Sequence, residues 1–205
     1  MNSFPLYRLI LTKTCSNGFE IWAVIPKLAV TIHACIHFGP AGMHREELNV
    51  DTNILENRTV VIYTGEPRAS GTNNWDITKR HIDGDPELFD IFEGIRDTSL
   101  KLRKALIDAD WTATGEILRL GYPQRKRLSP HITTPHMDHL IEVAHANGAI
   151  ATKVCGAGGG GCIAFFCENG RKNDVENALR GQTDAEVLDW RIAQEGLNVT
   201  VSEFV

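Results

Sequence analysis

The sequence predicts an α+β fold in which helices pack on one face of a mainly antiparallel sheet. Three observations carry that expectation. "RTVVIYTG", Arg58 to Gly65, is an apolar, β-branched run closed by glycine and reads as the clearest strand of the chain. Between Asn73 and Gly148, apolar residues recur at helical spacing, with capping residues at the joints. Last, "KVCGAGGGGCIAFF", Lys153 to Phe166, sets five glycines within Gly156–Gly161 and then turns abruptly apolar and β-prone.

In chain order, residues 6–12 and 19–38 ("YRLILTK", "FEIWAVI", "LAVTIHACIHF") read as two to four strands, interrupted at Ser16-Asn17-Gly18 and at Pro26. Gly39-Pro40-Ala41-Gly42 reads as a turn, and "REELNVD" as a returning strand. Four helices follow Gly65. Asn73 or Asn74 caps "WDITKRHI", which ends at Asp83-Gly84. Asp85-Pro86-Glu87 opens a long helix carrying Leu88, Ile91, Phe92, Ile95, Leu102 and Leu106. Asp110 caps a third, with Ile117, Leu118 and Leu120 as its apolar residues. It leads toward Arg125-Lys126-Arg127 and must end before Pro130, with Pro123 as an earlier point of kinking or breaking. Thr134-Pro135 opens the fourth, with Leu140, Ile141 and Ala144 inward, and Asn147-Gly148 stops it. After the glycine run come strand Cys162–Cys167, turn Glu168-Asn169-Gly170, a helix over Asn173–Leu179, and strands Glu186–Ile192 and Leu197–Glu203.

A chain of 205 residues suits one domain, or one domain with an appended piece, and can bury a substantial core. Its 23% charged and 42% hydrophobic residues are the composition of a soluble globular protein. The formal charge of −5, with Lys and Arg dispersed, predicts no nucleic-acid partner. The apolar stretch from Ile21 to Cys35 is interrupted by Pro26, Lys27 and His33, so no membrane span of ~20 residues is expected. The N-terminal residues do not read as a signal peptide, and a cytoplasmic location is expected. Cys15, Cys35, Cys155, Cys162 and Cys167 show no C-x-x-C spacing and read as small apolar fillers. His136-x-x-His139 lacks the H-E-x-x-H pattern, so no metal site is assigned.

Glycine runs bring backbone N–H groups close to a ligand without Cβ interference. Gly156, Gly158 and Gly161 satisfy G-x-G-x-x-G, but a dinucleotide site needs a helix to open there, and a β-prone run follows instead. The P-loop needs Lys and then Ser or Thr, whereas Cys162-Ile163 follow Gly161. What remains is a strand, glycine loop, strand arrangement that closes over a site supplied largely by other segments. Gly156, Ala157, Gly158, Gly159, Gly160 and Gly161 are therefore the candidate phosphate- or nucleotide-proximal residues; a tight turn needed only for strand packing would look the same. Arg68, Ser70 and Asn73, beyond the strand ending at Gly65, are candidate substrate-binding residues. Lys79-Arg80-His81 and Arg125-Lys126-Arg127, interleaved with acidic neighbours, read as surface features. No catalytic residue is assigned.

"AIATKVCGAGGGGCIAFF" resembles the third motif of the GHMP small-molecule kinases, the family of galactokinases, homoserine kinases, mevalonate kinases and phosphomevalonate kinases. "VVIYTGEPRAS", with the long helical segment after it, resembles the entry to that family's C-terminal domain. The similarity spans roughly Cys35 to Leu179 and is closest in style to the sugar and sugar-phosphate members, including heptose kinases. It implies ATP- and Mg-dependent phosphoryl transfer to a small metabolite, a sugar or sugar phosphate. It also implies a ferredoxin-like two-layer sandwich over residues 51–205, with residues 1–50 an extra N-terminal β segment left from the family's nucleotide-binding half. That half should carry Pro-x-x-x-Gly-Leu-Gly-Ser-Ser-Ala, which is not among these residues; "AVIPKLAVTIHACIHF" also lacks the Gly-x-x-Asp expected before Ile32–Phe38. The chain is accordingly expected to be inactive alone, and to self-associate or pair with a partner supplying the missing half through residues 19–38. The alternative is a non-catalytic metabolite-binding or interaction module of ferredoxin-like fold.

Overall fold

The computed structural model describes residues 20–21, 34–39, 42–67 and 70–192. Two antiparallel sheets and six helices build it. In the first sheet, β1 (Glu20–Ile21) pairs with β2 (Ala34–Gly39), and β2 pairs with β3 (Gly42–Glu47) in a hairpin whose register runs from Gly39↔Gly42 to Ala34↔Glu47. The two central residues of the expected turn, 40 and 41, lie outside the described residues. The other N-terminal strand expectations, and most of the apolar stretch at residues 19–38, lie outside the described residues.

The return strand is displaced from its expected position. The sequence predicts an extended "REELNVD", but β3 ends at Glu47, and Asp51 starts helix α1 (Thr52–Arg58) instead. Asp51 Oδ1 accepts from the Asn53 and Ile54 backbone N–H groups at 2.9 and 3.4 Å, the satisfaction of free helix donors for which aspartate is favoured at a start.

The second sheet contains β4 (Thr59–Tyr63), β5 (Ala149–Val154), β6 (Cys162–Cys167) and β7 (Glu186–Val187), in spatial order β5-β6-β4-β7 with every pair antiparallel. The last of these corrects the expected Glu186–Ile192 strand. Only two residues pair, although the Leu188 N–H still donates to Val61 O at 2.9 Å. The expected strand at Leu197–Glu203 lies outside the described residues.

Helices α2 (Ser70–Ile82), α3 (Pro86–Ile107), α4 (Trp111–Arg127), α5 (Pro135–Ala146) and α6 (Lys172–Arg180) fall where the periodicity put them, with two corrections. Helix α2 begins at Ser70, earlier than the expected asparagine cap. Helix α4 continues through Pro123 to Arg127. A proline inside a helix forfeits one backbone hydrogen bond at a cost of about 3 kcal/mol. Here the residue is exposed, and the helix is held by packing along its length against α3 and β5. Leu120 also departs from expectation. Ile117 and Leu118 pack inward, but Leu120, two residues and about 200° further round, is 56% exposed.

Burial follows from these faces. Met137, Leu140, Ile141 and Ala144 of α5, with Val175 and Leu179 of α6, pack on Val60, Ile62, Ile163, Phe165 and Cys167 of the second sheet. A second core joins the first sheet to the long helices: Cys35, Leu48 and Val50 with Leu102 and Leu106. A third joins Leu88, Ile91 and Leu128, with Ile77 of α2 packed alongside. No helix among the described residues is long and apolar enough to cross a membrane.

Candidate functional site

The glycine run connects two antiparallel strands, β5 and β6, and no helix opens at its end. This is the expected strand-to-strand loop, and it removes the dinucleotide-fold reading. Gly156, Gly158, Gly159, Gly160 and Gly161 all have positive φ, between 71° and 126°, a region costly for any residue with a Cβ. Two of them also sit against backbone. A Cβ on Gly158 would lie 2.6 Å from Ile132 O, and one on Gly160 would lie 2.7 Å from Pro67 O and 2.8 Å from Glu66 O.

Hydrogen bonds pin the loop from both sides. Cys155 N–H donates to Cys162 O at 2.9 Å and closes its base. Gly159 N–H donates to Ile132 O at 3.0 Å, Gly161 N–H to Glu66 O at 2.8 Å, and Thr64 N–H to Gly161 O at 2.9 Å. Gly156, Gly158 and Gly160 donate to no partner among the described residues, although Gly158 and Gly160 are buried.

The Thr64–Pro67 segment that braces the loop carries the "TGEP" of the sequence. Glu66 Oε2 accepts from Thr134 Oγ1 at 2.5 Å, and Thr134 Oγ1 in turn caps α5 by accepting from Met137 N–H at 3.1 Å. His136 Nε2 lies 3.1 Å from Thr64 O. The start of α5, the end of β4 and the glycine loop are thereby tied at one end of the sheet. Of the candidate substrate residues, Ser70 and Asn73 lie in the first turn of α2 rather than in a free loop, and Arg68 lies outside the described residues.

Two cations stand beside the loop. Lys153, on β5, is exposed, yet burial by surrounding protein holds its ammonium below the ordinary lysine range, with Cys155 raising it and Arg125 depressing it further. Arg125, half-buried at the end of α4, is likewise lowered by burial, and its Nη2 donates to Gly156 O at 2.7 Å. The basic run of α4 therefore divides. Lys126 pairs with Asp138 at 2.8 Å and Arg127 with Glu87 at 3.2 Å, as surface charges do, whereas Arg125 turns to the loop. Lys79 and Arg80 are paired with Asp83 and Asp85 at 2.6 and 2.7 Å, in keeping with a surface role. Nothing in the local sequence separates Arg125 from its neighbours, because the separation depends on where Asp138 and Glu87 fall in space.

Among the described residues, one group of side chains is tight enough to hold a metal, Cys35, His37 and Glu46, and it lies on the first sheet. Glu46 is already engaged: Arg103 Nε donates to Oε2 at 2.6 Å, Arg103 Nη2 donates to Oε1, and His37 Nε2 lies 2.8 Å from Oε2. Of the pair His136-x-x-His139, His139 contacts Gln182 at 3.1 Å, which leaves the two histidines on separate partners.

The antiparallel sheet, the helices over it and the braced glycine loop are similar in fold to part of several solved kinases. Residues 102–184 match the family described as GHMP kinases C terminal. Over 143 residues it is 28% identical to the D-glycero-alpha-D-manno-heptose 7-phosphate kinase of Campylobacter jejuni, a match covering 70% of this chain and 41% of that one. The fold is similar to that of L. major mevalonate kinase, with TM-score 0.64 at 13% identity, covering 77% of this chain and 47% of that one. It is also similar to a D-glycero-D-manno-heptose 1-phosphate kinase from Bacteriodes thetaiotaomicron, with TM-score 0.55 at 18% identity over 82% and 45%. The chain thus spans less than half the length of these relatives.

Proposed function

We propose that this chain is the C-terminal part of an ATP-dependent kinase that phosphorylates a sugar or sugar phosphate, cytoplasmic and inactive without a nucleotide-binding half. The observation that carries this reading is the loop Gly156–Gly161, held by Ile132, Thr64 and Glu66, in which Gly158 and Gly160 are buried and their N–H groups donate to no partner among the described residues. Phosphoryl transfer asks a protein chiefly for positioning and charge neutralisation, and preset backbone donors supply both without reorganising. The phosphates of ATP fit this loop and its flanking cations. The loop offers no carboxylate cage for Mg, since Glu66 is committed to Thr134, so in this reading the metal's ligands come from the other half. Arg68, Ser70 and Asn73 are assigned to the substrate, between the loop and that half.

Residues 51–205 are read as the family's C-terminal domain with a ferredoxin-like core, which the order β5-β6-β4-β7 and the helices α5 and α6 on one face support. Residues 1–50 are read as a remnant of the nucleotide-binding half, with residues 19–38 as the surface for self-association or for the partner supplying it.

The test is ATP-dependent phosphorylation of a panel of sugars and sugar phosphates, with the purified chain alone and with a polypeptide carrying the Gly-Leu-Gly-Ser-Ser loop. The expected result is turnover only in the mixture. Turnover by the chain alone, lost on substituting one of its own residues, would overturn the inactivity. Failure of the mixture on every acceptor would overturn the kinase reading.

A further inference from the structure

We infer that Cys155 and Cys162, which flank the glycine loop, are a redox-sensitive pair that closes the base of the loop with a reversible disulfide. The pair needs no nucleotide, acceptor or partner chain, so it stands or falls apart from the kinase reading.

The sheet brings the two together. Strands β5 and β6 run antiparallel in the register Lys153↔Ala164, Val154↔Ile163. One step further the ladder sets Cys155 opposite Cys162, and the Cys155 N–H donates to Cys162 O at 2.9 Å. Residues opposed in this way have Cα atoms about 5.5 Å apart and side chains on one face of the sheet. A disulfide spans Cα separations of roughly 4.4–6.8 Å, so the bond closes without moving either strand. Val154 and Ile163 belong to the core formed with α5, and by alternation both cysteines take the opposite face. Each is a partly exposed thiol, whereas Cys35 and Cys167 are wholly buried. Of the described thiols, this pair alone reaches solvent.

The oxidant is a small disulfide of the glutathione class. The thiolate of one cysteine attacks it, forming a mixed disulfide and releasing one small thiol. The second cysteine then attacks the sulfur of the first, forming the Cys155–Cys162 bond and releasing the second small thiol. The two protein thiols give up two electrons and two protons, which leave on the two small thiols. Positive charge stands beside the pair: Lys153 is exposed on the same face of β5, and Arg125 Nη2 donates to Gly156 O at 2.7 Å. Oxidised glutathione is anionic and is drawn to such a surface. Partial exposure also leaves the bond open to reduction, as regulatory disulfides require. The cross-link encloses Gly156–Gly161, whose glycines have more backbone freedom to lose than any other residue. Redox poise thereby sets how readily the loop opens.

The test is equilibration of the full chain, carrying Cys15→Ser, with graded ratios of reduced and oxidised glutathione under native conditions. The sample is quenched in acid, unfolded, alkylated, and digested with trypsin without reduction. The peptide 154–171 holds Cys155, Cys162 and Cys167. It is expected to lose two hydrogens, to give no fragments between 155 and 162, and to carry the alkyl group on Cys167; dithiothreitol should restore the two hydrogens. Cys155→Ser and Cys162→Ser should each trap a glutathione adduct on the remaining cysteine. The amides of Gly159 and Gly161, bonded to Ile132 O and Glu66 O, should exchange about tenfold more slowly in the oxidised chain and at the reduced rate in both serine variants. Separate glutathione adducts on Cys155 and Cys162, both thiols intact in excess oxidised glutathione, or a bond to Cys167 would overturn the inference. So would disulfides between chains in place of the internal one, or a Cys155–Cys162 bond that forms only in urea. Unchanged exchange at Gly159 and Gly161 in the oxidised chain would overturn the control of the loop.

Discussion

At the scale of the residue, the glycine loop separates two reasons for glycine that a sequence merges. Gly160 has φ of 126° and no room for a Cβ, since the Glu66 and Pro67 carbonyl oxygens lie within 2.8 Å of where it would sit. Gly170 has φ of 78° and open space around it. Gly170→Ala should therefore cost only the left-handed backbone penalty, about 1 kcal/mol. Gly160→Ala should cost that plus a collision with main chain, roughly 3 kcal/mol or more in all. In thermal melts the two should differ by at least several degrees, at about 2–4 °C per kcal/mol for a chain of this size. Equal melting temperatures would show that the Glu66–Pro67 segment yields. The loop was legible because glycine density is a local signal. Its bracing by Ile132, Glu66 and Pro67 was not, because those partners are distant in sequence and act through carbonyls that any residue carries.

At the scale of the element, one ion-pair network ties the first sheet to α3. Arg103, through its hydrogen bonds first, and then His37 hold the Glu46 carboxyl down to about 2 from its ordinary 4.5. A carboxyl whose pKa is lowered by folding stabilises the protein above its unfolded value, and that contribution is lost as pH falls through the folded value. The stabilisation from Glu46 should therefore be complete above about pH 4.5 and disappear between there and about pH 2. Glu46→Gln should lower the urea midpoint at pH 7 and flatten its fall across that acid window; an unchanged slope would place the acid sensitivity elsewhere. Asp85→Ala should cost about 1 kcal/mol by removing the α3 cap, in which Asp85 Oδ1 accepts from Glu87 and Leu88 N–H groups at 3.0 and 3.3 Å. That cap was readable from Asp85-Pro86-Glu87, as were the periodic faces of α3 and α5. Helix α1 was missed because its seven residues bury no side chain fully, leaving no apolar stripe to detect. The end of α4 before Pro130 was readable, but its continuation through Pro123 was not, because a breaker's local penalty says nothing of the packing that opposes it.

At the scale of the molecule, the three cores divide the work unequally. The second sheet with α5 and α6 builds the largest core, with Phe165, Ile163 and Leu140 fully buried. The long helices depend on the N-terminal segment, since Cys35 is wholly buried and Leu48 and Val50 cover Leu102 and Leu106. Removing residues 1–50 would return those two leucines to water, a loss on the order of 3–6 kcal/mol if both became fully exposed. It would also leave Arg103 without Glu46. A chain of residues 51–205 should then unfold at lower guanidinium concentration and bind the dye ANS through the uncovered face of α3. The amides of β6 should keep their protection from hydrogen exchange, because none of their partners in β4 and β5 is removed. An unchanged midpoint without ANS binding would mean that the segment is energetically separate from the helices it touches. Loss of protection in β6 would mean instead that the whole molecule folds as one cooperative unit, with the N-terminal sheet part of what holds the glycine loop in place.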